Sequence, residues 1–148
     1  MRRYGSEANE RWIGFEHRPG DIVISTRSKC GTTWLQMICA LLVFQDPDLP
    51  APLAELSPWL DWEVEPLHVV RERLDRQTHR RFIKTHTPLD GLPLQDGVTY
   101  LVAGRHPLDV AESLYAHGHN IVRDRFEALT GRRTSDPDGT FVEWVQAW

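Results

Sequence analysis

Three places in this chain put cations where a run of β-branched or aromatic residues gives out. Arg27 and Lys29 follow Asp21–Ser25, Lys84 and His86 close Arg81–Thr85, and Arg105 follows Val98–Ala103. Lysine and arginine can neutralise an anion, and an imidazole can take a proton near neutral pH. The first place carries the most detail, in Ser28-Lys29-Cys30-Gly31-Thr32-Thr33-Trp34. Gly31 lets the backbone approach an anion, unpaired amides at a helix start donate to oxygens, and Lys29, Thr32 and Thr33 add side-chain donors. That is what a phosphate cradle needs, and by itself Gly-Thr-Thr is equally a plain helix cap. It is not the nucleoside-triphosphate loop Gly-x-x-x-x-Gly-Lys-[Ser/Thr]: the lysine precedes the glycine, and no acidic strand end stands ready for Mg²⁺.

The surrounding elements must bring these groups together. Asp21–Ser25, after Pro19-Gly20, reads as a buried strand, and Thr32–Phe44 as a helix. In that helix Trp34, Leu35, Met37, Ile38, Leu41 and Leu42 recur at helical spacing and are expected in the core. Gln45–Pro66 holds five of the ten prolines together with Trp59 and Trp62, so a loop-rich excursion is expected, either packing ornament or the wall of a pocket. Val69–Gln77 reads as helix and Arg81–Thr85 as a second strand. Val98–Ala103 is the third, followed by a helix with Pro107 in its first turn and Asp109 near its positive end. Leu108, Ala111, Leu114 and Tyr115 are expected on that helix's buried face. Asp124–Gly139 reads as polar and turn-rich, and Phe141, Val142, Trp144, Val145 and Trp148 mark the stripe of a last helix. Strands alternating with helices predict an α/β fold, a parallel sheet with helices on both faces. Ligands of such sheets bind outside the carboxyl ends of the strands, where the cations are.

Composition narrows the partner. The chain has 148 residues, 17 Lys+Arg, 21 Asp+Glu and a formal net charge of −4. That length suits a single domain spanning 1–148. An acidic chain is a poor nucleic-acid binder, so cations gathered at one sheet edge predict a small polyanionic ligand. No apolar run approaches the ~20 residues of a bilayer span. Cys30 and Cys39 form neither a disulfide framework nor a Cys-x-x-Cys pair, which makes a cytoplasmic location the expectation. His117 and His119 form a His-x-His without a convergent Cys or carboxylate set, so no metal is expected.

Three motifs in one order resemble a known family. Thr26-Arg27-Ser28-Lys29-Cys30-Gly31-Thr32-Thr33-Trp34 resembles the 5′-phosphosulfate loop of the cytosolic sulfotransferases, T-Y-P-K-S-G-T-T-W. Lys84-Thr85-His86-Thr87-Pro88 is similar to their K-T-H-x-P segment. Arg105-His106-Pro107-Leu108-Asp109-Val110-Ala111-Glu112-Ser113-Leu114-Tyr115 is similar to their 3′-phosphate segment, R-N-P-K-D-V-A-V-S-Y-Y. The resemblance implies a P-loop-like three-layer fold and transfer of a sulfuryl group from 3′-phosphoadenosine 5′-phosphosulfate (PAPS) to an acceptor hydroxyl or amine, without a metal. It implies that His86 is the general base, that Lys29 and Lys84 stabilise the transferring and departing groups, and that Lys29, Cys30, Gly31, Thr32 and Thr33 bind the 5′-phosphate. It further implies that Trp34 stacks on adenine, and that Arg105 and Ser113 hold the 3′-phosphate. Each has a plainer rival: Trp34 alone reads as core, Ser113 is equally an exposed helix serine, and a hydrogen-bonded structural role for His86 is outweighed by Lys84 at the same strand end.

Cys30 stands where the family has Ser, and a thiol is the weaker donor; Arg27-Ser28 replaces Tyr-Pro. The family's later Arg-Lys-Gly loop has no counterpart before Trp148, so the expectation is an incomplete domain, truncated at its C-terminus. The expected acceptor is a small molecule (a phenol, steroid, lipid or glycolipid). The rival readings are a non-catalytic remnant that binds nucleotide weakly or not at all and, more distantly, a P-loop kinase.

Overall fold

The computed structural model describes residues 2–4 and 7–147, and its contacts fall into two compact units, 1–104 and 105–148. In the first unit a 3₁₀ turn, Glu7–Trp12, precedes β1 (Ile22–Thr26) and α1 (Thr32–Phe44). Two helices follow, α2 (Leu53–Leu56) and α3 (Leu67–Arg76), then β2 (Phe82–Thr85) and β3 (Thr99–Ala103). The three strands form one parallel sheet in the order β2-β1-β3, with Ser25 opposite both Thr85 and Val102.

Strand alternation sorts the side chains into two cores. Val23 and Ile83 point to one face and pack with Trp12 of the 3₁₀ turn and Val70 and Leu74 of α3. Ile22, Ile24 and Phe82 point to the other and pack with Cys39 and Ala40 of α1. Helices therefore cover both faces of a central parallel sheet, as the strand–helix alternation predicts.

The buried face of α1 differs from the expected one. Its buried residues are Thr32, Gln36, Cys39 and Ala40, with Leu35, Val43 and Phe44 packed beside them. Trp34 is 78% exposed and Leu42 71%, and Met37, Ile38 and Leu41 are also exposed. Small Cys39 and Ala40 let the helix axis come close to a sheet surface already filled by Ile22, Ile24 and Phe82, which turns the large apolar residues outward. The apolar stripe is real, but the sheet takes the small side of the helix.

The strand starts are joined by a buried ion pair. Asp21, just before β1, accepts from Arg81 Nε at 2.9 Å and from Arg81 Nη2 at 2.5 Å. Both side chains are almost fully buried. Burial pushes the Asp21 carboxyl up, but His17, Arg81 and the Arg18 amide outweigh it and hold the carboxyl at about 2. The excursion is mostly irregular, with α2 as its only helix among the described residues. Its Pro58 carbonyl accepts from the Lys84 amide at 3.0 Å, and Trp59 bridges to Lys84. Among the described residues, no helix is long and apolar enough to cross a membrane.

The second unit holds α4 (Pro107–His119), α5 (Arg123–Thr130) and α6 (Phe141–Ala147). Ala111 is buried on α4, whereas Leu108, expected on its buried face, is 57% exposed. Of the stretch expected to be polar and turn-rich, 131–139 is irregular, but its first part is helical within Arg123–Thr130, with Asp124 in the first turn and Gly131 closing it at φ 67°. Arg, Glu, Ala and Leu are good helix formers, and a left-handed glycine is a standard helix stop, so local propensity outweighs the polar composition. Thr140 and Glu143 form a reciprocal capping box at the start of α6. Phe141 and Trp144 of α6 pack their rings near Tyr115 of α4. Trp148, counted in the stripe of that helix, lies outside the described residues.

The Asp21–Arg81 pair yields a stability prediction. Asp21→Asn leaves a buried guanidinium without its carboxylate and should cost about 3–5 kcal/mol in urea unfolding. The carboxyl's folded value lies below its ordinary 3.8, so its contribution is present above 3.8 and is lost as pH falls toward about 2. Unfolding free energy should drop by roughly 2 kcal/mol through that window in the unsubstituted chain, and Asp21→Asn should lack that drop.

Candidate functional site

The carboxyl ends of β1 and β2 meet at one edge of the sheet, because parallel pairing sets Ser25 beside Thr85. Beyond β1 the chain turns sharply, with the Cys30 amide donating to the Arg27 carbonyl at 3.1 Å. Lys29 has φ 64° and Gly31 φ 88°. A non-glycine residue in the left-handed region costs of order 1–2 kcal/mol, which points to a loop shaped for a task. Gly31 caps α1 without any side-chain cap bond, and the first intrahelical bond is Leu35 N–H to Gly31 O at 3.1 Å. The amides of Thr32, Thr33 and Trp34 therefore precede the hydrogen-bonded ladder and form the positive end of the helix dipole. Thr32 is buried and its Oγ1 lies 2.5 Å from Thr26 Oγ1, tying the loop's two ends together. Cys30 is buried, Lys29 half-buried and Thr33 exposed.

At the end of β2 the side chains alternate. Lys84 and His86 lie on one side, both half-buried, while Thr85 and Thr87 are buried on the other. His86 Nδ1 donates to the Thr26 carbonyl at 2.7 Å. A carbonyl can only accept, so the proton sits on Nδ1 and Nε2 keeps its lone pair. Burial lowers the His86 pKa from its ordinary 6.5; the Thr26 carbonyl and Asp61 oppose that, and Lys84 and Arg27 add to it. The result is a neutral imidazole at pH 7, able to accept a proton. Burial also lowers the Lys84 pKa, with Asp61 opposing. Lys84 Nζ sits 4.1 Å from the centre of the Trp59 ring, a contact that favours the ammonium form. The same ring meets His86 edge-on at 4.7 Å. Trp59 thus lies against both groups.

A cavity of about 360 Å³ opens beside Lys84. The excursion lines it with Leu53, Ser57, Trp59 and Trp62, and α1 adds Thr33 and Gln36. The proline-rich segment is therefore the wall of a cavity. Among the described residues no group of three or more His, Cys, Asp or Glu is placed to hold a metal ion.

The first unit brings together Lys29, Cys30, Gly31, Thr32, Thr33, Lys84 and His86 around these two strand ends. Trp34 follows on the outer side of α1. Arg105 and Ser113 belong to the second unit, where Arg105 Nε lies 3.8 Å from Asp109 Oδ2 and Ser113 sits half-buried within α4. Asp61 is the residue that sequence reasoning missed. It is buried, and its Oδ2 accepts from Thr85 Oγ1, from Thr87 Oγ1 at 2.6 Å and from Trp12 Nε1 at 3.3 Å. The alternation of Lys-Thr-His-Thr signals that two hydroxyls face away from Lys84 and His86 and need a shared partner, but nothing local identifies Asp61 as that partner.

Comparison with known proteins places the chain in a family. The family model described as "Sulfotransferase domain" matches residues 19–146. A glycolipid sulfotransferase of Mycobacterium tuberculosis is 52% identical over 121 residues, covering 82% of this chain and 37% of its own. Sulfotransferase 1A1 of Canis lupus familiaris is 35% identical over 120 residues, covering 76% of this chain and 40% of its own. The chain thus spans well under half the length of these relatives. Among solved structures, mouse sulfotransferase SULT7A1 complexed with PAP superposes with a TM-score of 0.63 at 22% identity, over 96% of this chain and 45% of that one. Retinol dehydratase in complex with androsterone and PAP gives 0.61 at 20% identity, over 95% and 48%. At that identity the likeness establishes the fold.

The His86 geometry predicts a spectroscopic result. Nitrogen-15 shifts of the imidazole at pH 7.5 should show one dominant tautomer, protonated at Nδ1, titrating below 6.5. Equal averaging of the two tautomers, or a midpoint above 6.5, would contradict the Thr26–His86 bond and the dominance of burial.

Proposed function

This chain belongs to the sulfotransferase domain family, and we propose that it forms part of the donor site and carries the general base of a PAPS-dependent sulfotransferase. The acceptor is a hydroxyl-bearing small molecule. Its two units are parts of one sulfotransferase domain, and the longer relatives carry further polypeptide beyond it. The observation that carries this reading is the junction of a left-handed glycine loop at a helix start with an imidazole whose Nε2 is available.

In the transfer, the acceptor oxygen attacks the sulfur while His86 Nε2 takes the hydroxyl proton. The bond from sulfur to the 5′-phosphate oxygen breaks, and its electron pair leaves with the 3′,5′-bisphosphate. Charge grows on that departing oxygen, and positioned cations stabilise it more than they stabilise the ground state. Lys29 serves the departing phosphate and Lys84 the sulfuryl group in flight. The amides and hydroxyls of Thr32 and Thr33, with Gly31 and Cys30, hold the 5′-phosphate, and Trp34, exposed at the helix start, is the surface for adenine. Arg105 and Ser113 are the residues for the 3′-phosphate. The cavity beside Lys84 takes the acceptor. Its apolar Leu53, Trp59 and Trp62, and the 52% identical glycolipid sulfotransferase, favour a lipid or glycolipid over a charged metabolite.

Thermal melts test the donor site directly. A hundredfold excess of adenosine 3′,5′-bisphosphate over its Kd should raise stability by about 2.7 kcal/mol, unchanged by EDTA. Stabilisation by ATP that requires Mg²⁺, or no shift with the bisphosphate, would overturn the reading. Lys29→Met should weaken bisphosphate binding roughly ten- to hundredfold, the worth of one charged hydrogen bond. His86→Ala should keep that binding and lower transfer by about 10²–10⁴. Loss of binding and transfer in equal measure would remove His86 from the role of base.

A further inference from the structure

Thr85 and Thr87 are the immediate neighbours of His86, and both turn their hydroxyls to the same carboxylate oxygen, Asp61 Oδ2. The Thr87 amide donates back to Thr85 Oγ1 at 2.9 Å, and Ser25 Oγ donates to the Thr87 carbonyl at 2.8 Å. The backbone on either side of the imidazole is therefore fastened, while the ring is held on its own face by the Thr26 carbonyl. Trp12 Nε1 adds a third donor to Asp61 Oδ2. The other oxygen, Oδ1, is buried with no hydrogen-bond partner among the described residues. Three donors converging on Oδ2 fix the orientation of the Asp61 carboxylate. Its three donors are neutral, which leaves its charge to act on the cations nearby.

We infer that Asp61 is the positioning residue of this site, holding the Thr85–Thr87 segment so that the His86 ring keeps one orientation and one tautomer, and lending its negative charge to Lys84 and His86. The claim deepens the proposed general-base role and rests on it only for its catalytic meaning. The charged and titratable groups acting on His86 are Lys84 on the same strand end, Asp61 from the excursion and Arg27 from the loop after β1. Arg11 on the 3₁₀ turn also feels the Asp61 charge. Of these only Asp61 is negative, so among the charged groups it is the one that favours the protonated imidazole, alongside the Thr26 carbonyl.

Two substitutions separate charge from geometry. Asp61→Asn keeps one oxygen for Thr85 and Thr87 and removes the charge; Asp61→Ala removes both. The readout is the nitrogen-15 histidine spectrum of the 148-residue chain across pH, with His86→Gln assigning the signal and melts reporting folding. In Asp61→Asn the Nδ1-protonated tautomer should persist while the titration midpoint moves to lower pH. In Asp61→Ala the two tautomers should average. Should either variant fail to fold, Thr87→Val removes one of the two flanking hydroxyl bonds and should loosen the tautomer preference on its own. A midpoint and tautomer equal to the unsubstituted chain in every folded variant would overturn the inference. Bisphosphate melts are independent of it: a positive histidine result with no bisphosphate stabilisation would leave Asp61 positioning an imidazole whose function lies elsewhere.

Discussion

One hydrogen bond, from His86 Nδ1 to the Thr26 carbonyl, spans the gap between the ends of β1 and β2. It can form because those strands run parallel in a register that sets Ser25 beside Thr85. Thr26 is also the residue whose hydroxyl reaches Thr32 at the head of α1. A single strand terminus thus anchors the Lys29–Gly31 loop through its side chain and the imidazole through its backbone. A slip of one residue in a strand reverses which face each side chain takes. Such a slip in β2 would turn Thr85 and Thr87 toward Trp59 and bury Lys84 and His86. The meeting of this loop with His86 is a consequence of sheet register before it is a consequence of any one side chain.

The two ends of this strand pair use buried carboxylates differently. At the starts of β1 and β2, Asp21 meets a guanidinium in a two-bond fork, which holds its carboxyl at about 2. That pair fastens the strand starts, well away from Lys84 and His86 at the strand ends. At the ends, Asp61 is met by two hydroxyls and an indole, all neutral donors, so its charge stays available to Lys84 and His86. The first arrangement favours stability and the second local electrostatics. Trp12 belongs to the core on that face and also bonds Asp61, so the site's support is continuous with the packing of the sheet.

Much of this was legible in the sequence, because it is local. Ile22–Thr26, Phe82–Thr85 and Thr99–Ala103 are short β-branched or aromatic runs closed by cations, and Thr32–Phe44 has an unambiguous helical period. The place of Gly31 just before the helix was legible from residue type, whereas the left-handed backbone at Lys29 was not. The tertiary choices were not legible. Whether α1 buries its large apolar stripe or its small face depends on the volume already filled by Ile22, Ile24 and Phe82. Arg123–Thr130 was hidden by its charge, though its residues are good helix formers and Gly131 marks its end. Asp61 was invisible because its partners are 24 and 26 residues away, and nothing local sets it apart from Glu63 and Glu65 beside it.

The most direct test of the central claim follows the amides themselves. A nitrogen-15-labelled chain at pH 7.5 would be titrated with adenosine 3′,5′-bisphosphate while backbone and imidazole resonances are tracked. The account predicts that Gly31, Thr32 and Thr33 amides and the His86 ring shift together along one saturable curve. Saturable shifts confined to residues remote from the ends of β1 and β2, or movement of the loop amides with an unperturbed His86, would contradict a shared site.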